Sequence, residues 1–163
     1  MKKIILALLA LLLCGCTAEE TMETISDDLV QPVMVQPREI AVSLPGEVSI
    51  PTMEGDNGRV YLASDYEIYI QTLESGDLNE TIQLVSGYEK DTLTVLHTAP
   101  DEVDRYEFVW SCMGESGERL GRGVILDDGN YHYVMTVLRD ANTTESTQIV
   151  WSDVFDSFQL LSY

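Results

Sequence analysis

The side chains in this chain of 163 residues that could do chemistry are two histidines, one cysteine far from the N-terminus, scattered serines and 28 carboxylates. Paired carboxylates could run general acid–base hydrolysis, and acids gathered in a loop could hold calcium. Asp101, Glu102 and Asp104 form one cluster, and Asp127 with Asp128 another. Neither follows the calcium-loop pattern, with glycine sixth and glutamate twelfth, so both read as solvated turns. His97 and His132 stand apart and there is no Cys-x-x-Cys, so no zinc site is expected. Gly114-Glu115-Ser116-Gly117 is not a nucleophile elbow and lies between two expected strands; it reads as a hairpin loop. Cys112 alternates with Tyr106, Phe108 and Trp110, the pattern of a small buried hydrophobe and not of an exposed thiolate. His132, between Tyr131 and Tyr133, is a general base by residue type and a packed or surface histidine by context. Gly117, Gly121 and Gly123 precede no helix and give no phosphate cradle. Arg119 and Arg122 fall on opposite faces of one strand and read as partners for the many acids. The expected catalytic, cofactor and metal sets are empty, with a carboxylate-based hydrolase kept as a remote alternative.

Charge narrows the partners. Nine basic against 28 acidic side chains leave a formal charge of −19. Nucleic acid is excluded as an expected partner, because binding phosphates needs a concentrated basic surface. A hydrophobic content of 45% supplies a packed core, so the acidity is not that of a disordered tail.

The most specific motif is an address. Lys2 and Lys3 precede an apolar run from Ile4 to Leu13, the order of a secretory signal, and the run is too short to span a bilayer as a helix. Leu13-Cys14-Gly15-Cys16 resembles the lipobox of bacterial lipoproteins. The resemblance implies a signal peptide over 1–15, a palmitate-type lipid on Cys16, and a protein held on the extracytoplasmic face of the cell membrane. Cys14 would leave with the signal, so Cys112 would remain alone and no internal disulfide is expected.

Residues 16–37 read as an acidic flexible tether. Thr17 to Gln36 holds no basic residue, five acids supply its charge, and Pro32 and Pro37 punctuate its end. A single domain is expected over 38–163. Short strands are predicted at Glu39–Leu44, Arg59–Ala63 and Tyr66–Leu73, the last with Tyr66, Ile68 and Ile70 on one face. A helix follows, carrying Leu78, Ile82 and Val85 at helical spacing and ending at Gly87. Strands are predicted at Thr92–His97, Arg105–Met113, Arg119–Leu126 and Tyr131–Arg139, with a tight turn at Asp127-Asp128-Gly129-Asn130. A last helix would be capped by Asn142 with Glu145 three residues on. Its apolar stripe would run through Val150, Trp151, Val154, Phe155 and Phe158.

The order β-β-β-α-β-β-β-β-α predicts an α+β fold, a mostly antiparallel sheet of six to seven strands covered by two helices. Gly129-Asn130-Tyr131-His132-Tyr133, entering the last strand, and Phe155-Asp156-Ser157-Phe158, closing the last helix, carry a resemblance to the PsbP/Mog-type fold. That fold recurs among small bacterial lipoproteins, and its members serve mostly as binding or assembly factors with no shared catalytic residues. The expected function is a lipid-anchored binding or interaction module without catalysis, its ligand small or an envelope protein. The alternative is an envelope-assembly accessory docking on a membrane protein.

Overall fold

The computed structural model describes residues 35–100, 103–115, 117–142 and 146–162, with the side chains of 146–150 outside that description. The lipobox, Asp101, Glu102, Ser116 and Glu145 lie outside the described residues.

Seven strands form one antiparallel sheet in the order β2-β3-β4-β8-β7-β6-β5. They are β2 (Met53–Gly55), β3 (Gly58–Leu62), β4 (Tyr66–Glu74), β5 (Val95–Thr98), β6 (Asp104–Gly114), β7 (Gly117–Asp127) and β8 (Tyr131–Asp140). A separate antiparallel pair joins β1 (Ile40–Ala41) to β9 (Gln159–Leu160). Helix α1 (Leu78–Ser86) and helix α2 (Ser146–Ser157) complete the α+β fold.

β8 lies at the centre of the sheet, and its residues from His132 to Val137 are all buried. A strand buried on both sides needs a cover on each. The two helices provide it, one per face. Tyr133, Met135 and Val137 point to the face shared with Ile68, Val124 and Leu126, where Trp151, Val154, Phe155 and Phe158 of α2 pack. Val134 points the other way, to the face of Phe108, Trp110 and Ile125, where Ile82 of α1 packs.

Local chemistry starts and stops these elements. The Asp77 carboxylate accepts from the Asn79 N–H at 2.8 Å to cap α1, and Gly87 ends it at φ 79° in the left-handed region. Between β7 and β8 the Asp128 carboxylate accepts the N–H of Asn130 and Tyr131, while Gly129 takes φ 85°. On β6 and β7 the register sets Phe108 opposite Gly123 and Trp110 opposite Gly121, so each ring lies over a glycine.

Four expectations change in detail. The strand predicted at Glu39–Leu44 is reduced to Ile40–Ala41, because its partner among the described residues is the two-residue β9. The stretch predicted as loop between it and β3 contains β2, which pairs along β3 although its side chains are exposed. The strand predicted from Thr92 begins at Val95, after a 3-10 turn at Lys90–Thr92. The last helix ends at Ser157, and Phe158 follows it as a buried anchor ahead of β9.

Candidate functional site

Two constellations gather chemistry-bearing side chains: the surroundings of His132, and a groove beside α2.

His132 is completely buried. Its Nδ1 lies 2.8 Å from Thr81 Oγ1, on α1, and its Nε2 lies 3.4 Å from both Ser75 Oγ and Asp127 Oδ2. The Ser75 hydroxyl donates to the other Asp127 oxygen at 3.3 Å. Residue types alone suggest a serine–histidine–aspartate relay. A relay, however, sets hydroxyl and carboxylate on opposite ring nitrogens, with the hydroxyl open to substrate. Here Ser75 and Asp127 crowd one nitrogen, and the Thr81 hydroxyl on the other is buried and closed to a substrate. This arrangement ties the start of α1 to β8 and to the turn after β7.

The remaining groups singled out by type are also engaged. His97 is exposed, pairs with Asp104 at 2.6 Å and stacks on Tyr106. Asp127 accepts from the Gly129 N–H at 2.8 Å, and Asp128 accepts from the Tyr133 hydroxyl at 2.9 Å. Burial first, and then the Asp128 carboxylate, push the Tyr133 hydroxyl up to about 12, against the N–H of Arg38 that lowers it. Cys112 is half-buried against the α1-side core. Among the described residues no group of three or more His, Cys, Asp or Glu stands close enough to hold a metal ion.

The groove lies on the α2 face of the sheet and has a volume of about 560 Å³. Leu120 and Arg122 of β7, Val137 and Arg139 of β8, and Trp151 and Phe155 of α2 line it. Alternation along β7 sends Arg122 to this face and Arg119 to the other. The Arg122 guanidinium lies 4.1 Å over the Phe155 ring and donates to Glu107 Oε2 at 2.8 Å. Glu107 also accepts from Arg105 at 2.8 Å, and Arg105 donates to the carbonyls of Phe155 and Phe158 at the end of α2. Burial pushes the Glu107 carboxyl up, but hydrogen bonds from Arg122 and Arg105 outweigh it and hold the group below its usual value. On the other face Arg119 pairs with Glu67 at 3.1 Å, so both arginines do take acidic partners.

Trp151 forms a wall of the groove and packs edge-on to Tyr66, with ring centroids 4.7 Å apart. Its indole N–H is buried and has no hydrogen-bond partner among the described residues. An unmet buried donor costs about 1–3 kcal/mol, so this one is a feature to explain. Val109, which also lines the groove, and Met113, farther along β6, stand 61% and 80% exposed, large apolar side chains left in water. Sequence reading placed Trp151 and Phe155 in a packing stripe and Arg122 on a neutralised surface. Arg139 and Leu120 were not singled out. The usable signal was Leu120 and Arg122 two residues apart, an arginine sharing a strand face with apolar neighbours.

No protein-family model matches the chain, and no curated protein matches it. Solved structures do match in fold. One, a crystal structure from Bacteroides thetaiotaomicron VPI-5482, aligns with a TM-score of 0.53 at 9% identity, covering 76% of this chain. This chain spans 45% of that chain's length.

Proposed function

We propose that the protein is a lipid-anchored, extracytoplasmic binding module without catalytic activity. The observation that carries the binding part is the groove beside α2, with Arg122 and Arg139 set among apolar walls. Small-molecule sites have this composition, apolar lining with a few placed polar groups, in about 300–1,000 Å³. His132 and its neighbours support the non-catalytic part, since their polar atoms are spent on each other inside the fold. The anchor rests on Gly15-Cys16 after the apolar run. The resemblance to the PsbP/Mog-type fold, rich in binding and assembly factors, points the same way.

A second reading, an envelope-assembly accessory docking on a membrane protein, is favoured by the exposed Val109 and Met113. Both readings need the anchor. Metabolic labelling with palmitate is expected to mark the wild-type protein and not Cys16→Ser, and label on the variant would overturn the assignment. Capture from intact membranes then separates the two: a defined membrane-protein partner lost on Met113→Asp supports the accessory.

A further inference from the structure

The seven-stranded sheet has two edges of different character. An edge strand presents a row of backbone donors and acceptors, and folded proteins blunt it with charge, proline or brevity. At one edge, β2 has three residues, carries Glu54 and is followed by Asp56. At the other edge, β5 consists of Val95, Leu96, His97 and Thr98, with no carboxylate, lysine or arginine. Among the described residues β5 pairs with β6 alone, and its backbone bonds to no other described segment. Leu96, His97 and Thr98 are exposed, Leu96 by 66%.

Composition marks this edge. Residues 38–163 hold 23 acidic and 7 basic side chains. Within them the two longest runs without Asp, Glu, Lys or Arg are 129–138 and 92–100. The first contains most of β8, the central strand, where burial on both sides demands it. The second contains β5. A sheet edge therefore has the composition of a sheet centre.

The same charge selects the partner. A basic protein would gain most by lying against the acidic surface, and an uncharged strand offers it little. Two bodies of like charge repel each other, and they meet at least cost where charge is absent. A second copy of this chain brings the same acidic body and the same uncharged strand. A strand paired antiparallel with itself has twofold symmetry, the commonest closed arrangement. Every pair already within the sheet is antiparallel.

We propose that two copies of this chain pair through β5, antiparallel, and join their sheets into one. The twofold axis passes near the middle of β5 and brings the two Leu96 side chains together. Leu96 stands opposite Glu107 on β6, so both lie on the face that α2 covers farther in. Four-residue strands bury less than the roughly 1,000 Å² of a stable interface, so the pairing is weak and concentration-dependent. It does not need the lipid anchor. Two anchored copies in one membrane would meet at a raised local concentration and pair more fully.

The test is small-angle neutron scattering of the full chain in non-ionic detergent, with the detergent contrast-matched. The wild type is expected to shift from monomer to dimer as its concentration rises to about 1 mM, the weak end of association. Raising the ionic strength from about 0.05 to about 0.5 M should tighten the dimer severalfold, because salt screens the repulsion between acidic bodies. Leu96→Asp and Leu96→Lys are each expected to weaken the dimer at least about tenfold by setting like charges together at the axis. An equimolar mixture of the two variants should recover dimers that neither forms alone, which a folding defect would not allow. Met53→Asp, at the opposite edge, is the control and should leave dimerisation unchanged. Four results overturn the proposal: a monomer at every concentration up to about 1 mM, full dimerisation of Leu96→Asp, no gain on mixing, or a dimer that salt weakens.

Discussion

A glycine facing an aromatic ring across two strands is a packing unit, and β6 and β7 contain two. A β-carbon added to Gly121 would lie 2.1 Å from Trp110 Cε2, and one added to Gly123 would lie 2.7 Å from Phe108 Cζ. Neither ring can withdraw without disturbing the core beneath α1. Gly121→Ala is therefore expected to cost about 1–3 kcal/mol, an overpacking penalty, and to lower the melting temperature by about 3–10 °C. Gly76→Ala, where a β-carbon meets nothing within 4 Å, is the control and should leave the melting temperature nearly unchanged. Equal melting curves for the two variants would remove the packing role of Gly121. Glu107 gives a pH-dependent counterpart on the opposite face. Its folded pKa is depressed, so its contribution to stability is complete above the ordinary value of 4.5 and is lost as pH falls through the depressed one. Against Glu107→Gln, the wild type should hold its largest thermal advantage at about pH 7 and lose it progressively below about pH 4.5. Thermal denaturation across that range checks the sign, and an advantage that grows on acidification would contradict it.

Among the elements, α2 is anchored at its C-terminal end. Val154, Phe155 and Phe158 are buried, and Arg105 donates to the carbonyls of Phe155 and Phe158, the first of which also accepts the Phe158 N–H at 3.2 Å. Removing a buried phenylalanine side chain typically costs about 3–5 kcal/mol, so Phe158→Ala should lower the melting temperature sharply. Asp156 is exposed on the same turn, and Asp156→Ala should change it little. If the two variants melt together, the core assignment of Phe158 fails. The stripe that placed these residues was legible because helical spacing brings them to one side. The long strands were legible for an equivalent reason, since Tyr66, Ile68 and Ile70 and then Tyr106, Phe108 and Trp110 alternate as a half-buried sheet must. Two short strands were not. Met53–Gly55 has no apolar alternation and is a strand because β3 offers it an edge, and Gln159–Leu160 is one because β1 lies alongside after the chain has folded. Which face each helix covers was equally hidden, because an apolar stripe names a buried side without naming its partner.

At the scale of the whole molecule, the site was less legible than the fold. The groove joins residues from β7, β8 and α2 whose separate patterns read as ordinary packing, and only their assembly sets arginines among apolar walls around one space. The domain boundary presents the converse case. The change in composition at Pro37 places it, and the contacts of the following residue can be inspected. Arg38 donates its backbone N–H to the Tyr133 hydroxyl at 2.8 Å and its guanidinium to the Leu161 carbonyl. A fragment of 38–163 therefore retains both attachments, together with the two cores on either side of β8. It gives up the 2.8 Å hydrogen bond from the Tyr131 hydroxyl to the Val35 carbonyl, at an exposed position. The fragment is expected to unfold in one cooperative thermal transition without a disulfide. Extending it to begin at residue 35 should add about 1–2 kcal/mol, the net value of that bond and of the interaction Pro37 makes. Calorimetry of the two fragments decides. A non-cooperative 38–163 beside a cooperative 35–163 would move the boundary to residue 35, and non-cooperative melting of both would show that the domain needs the residues before it.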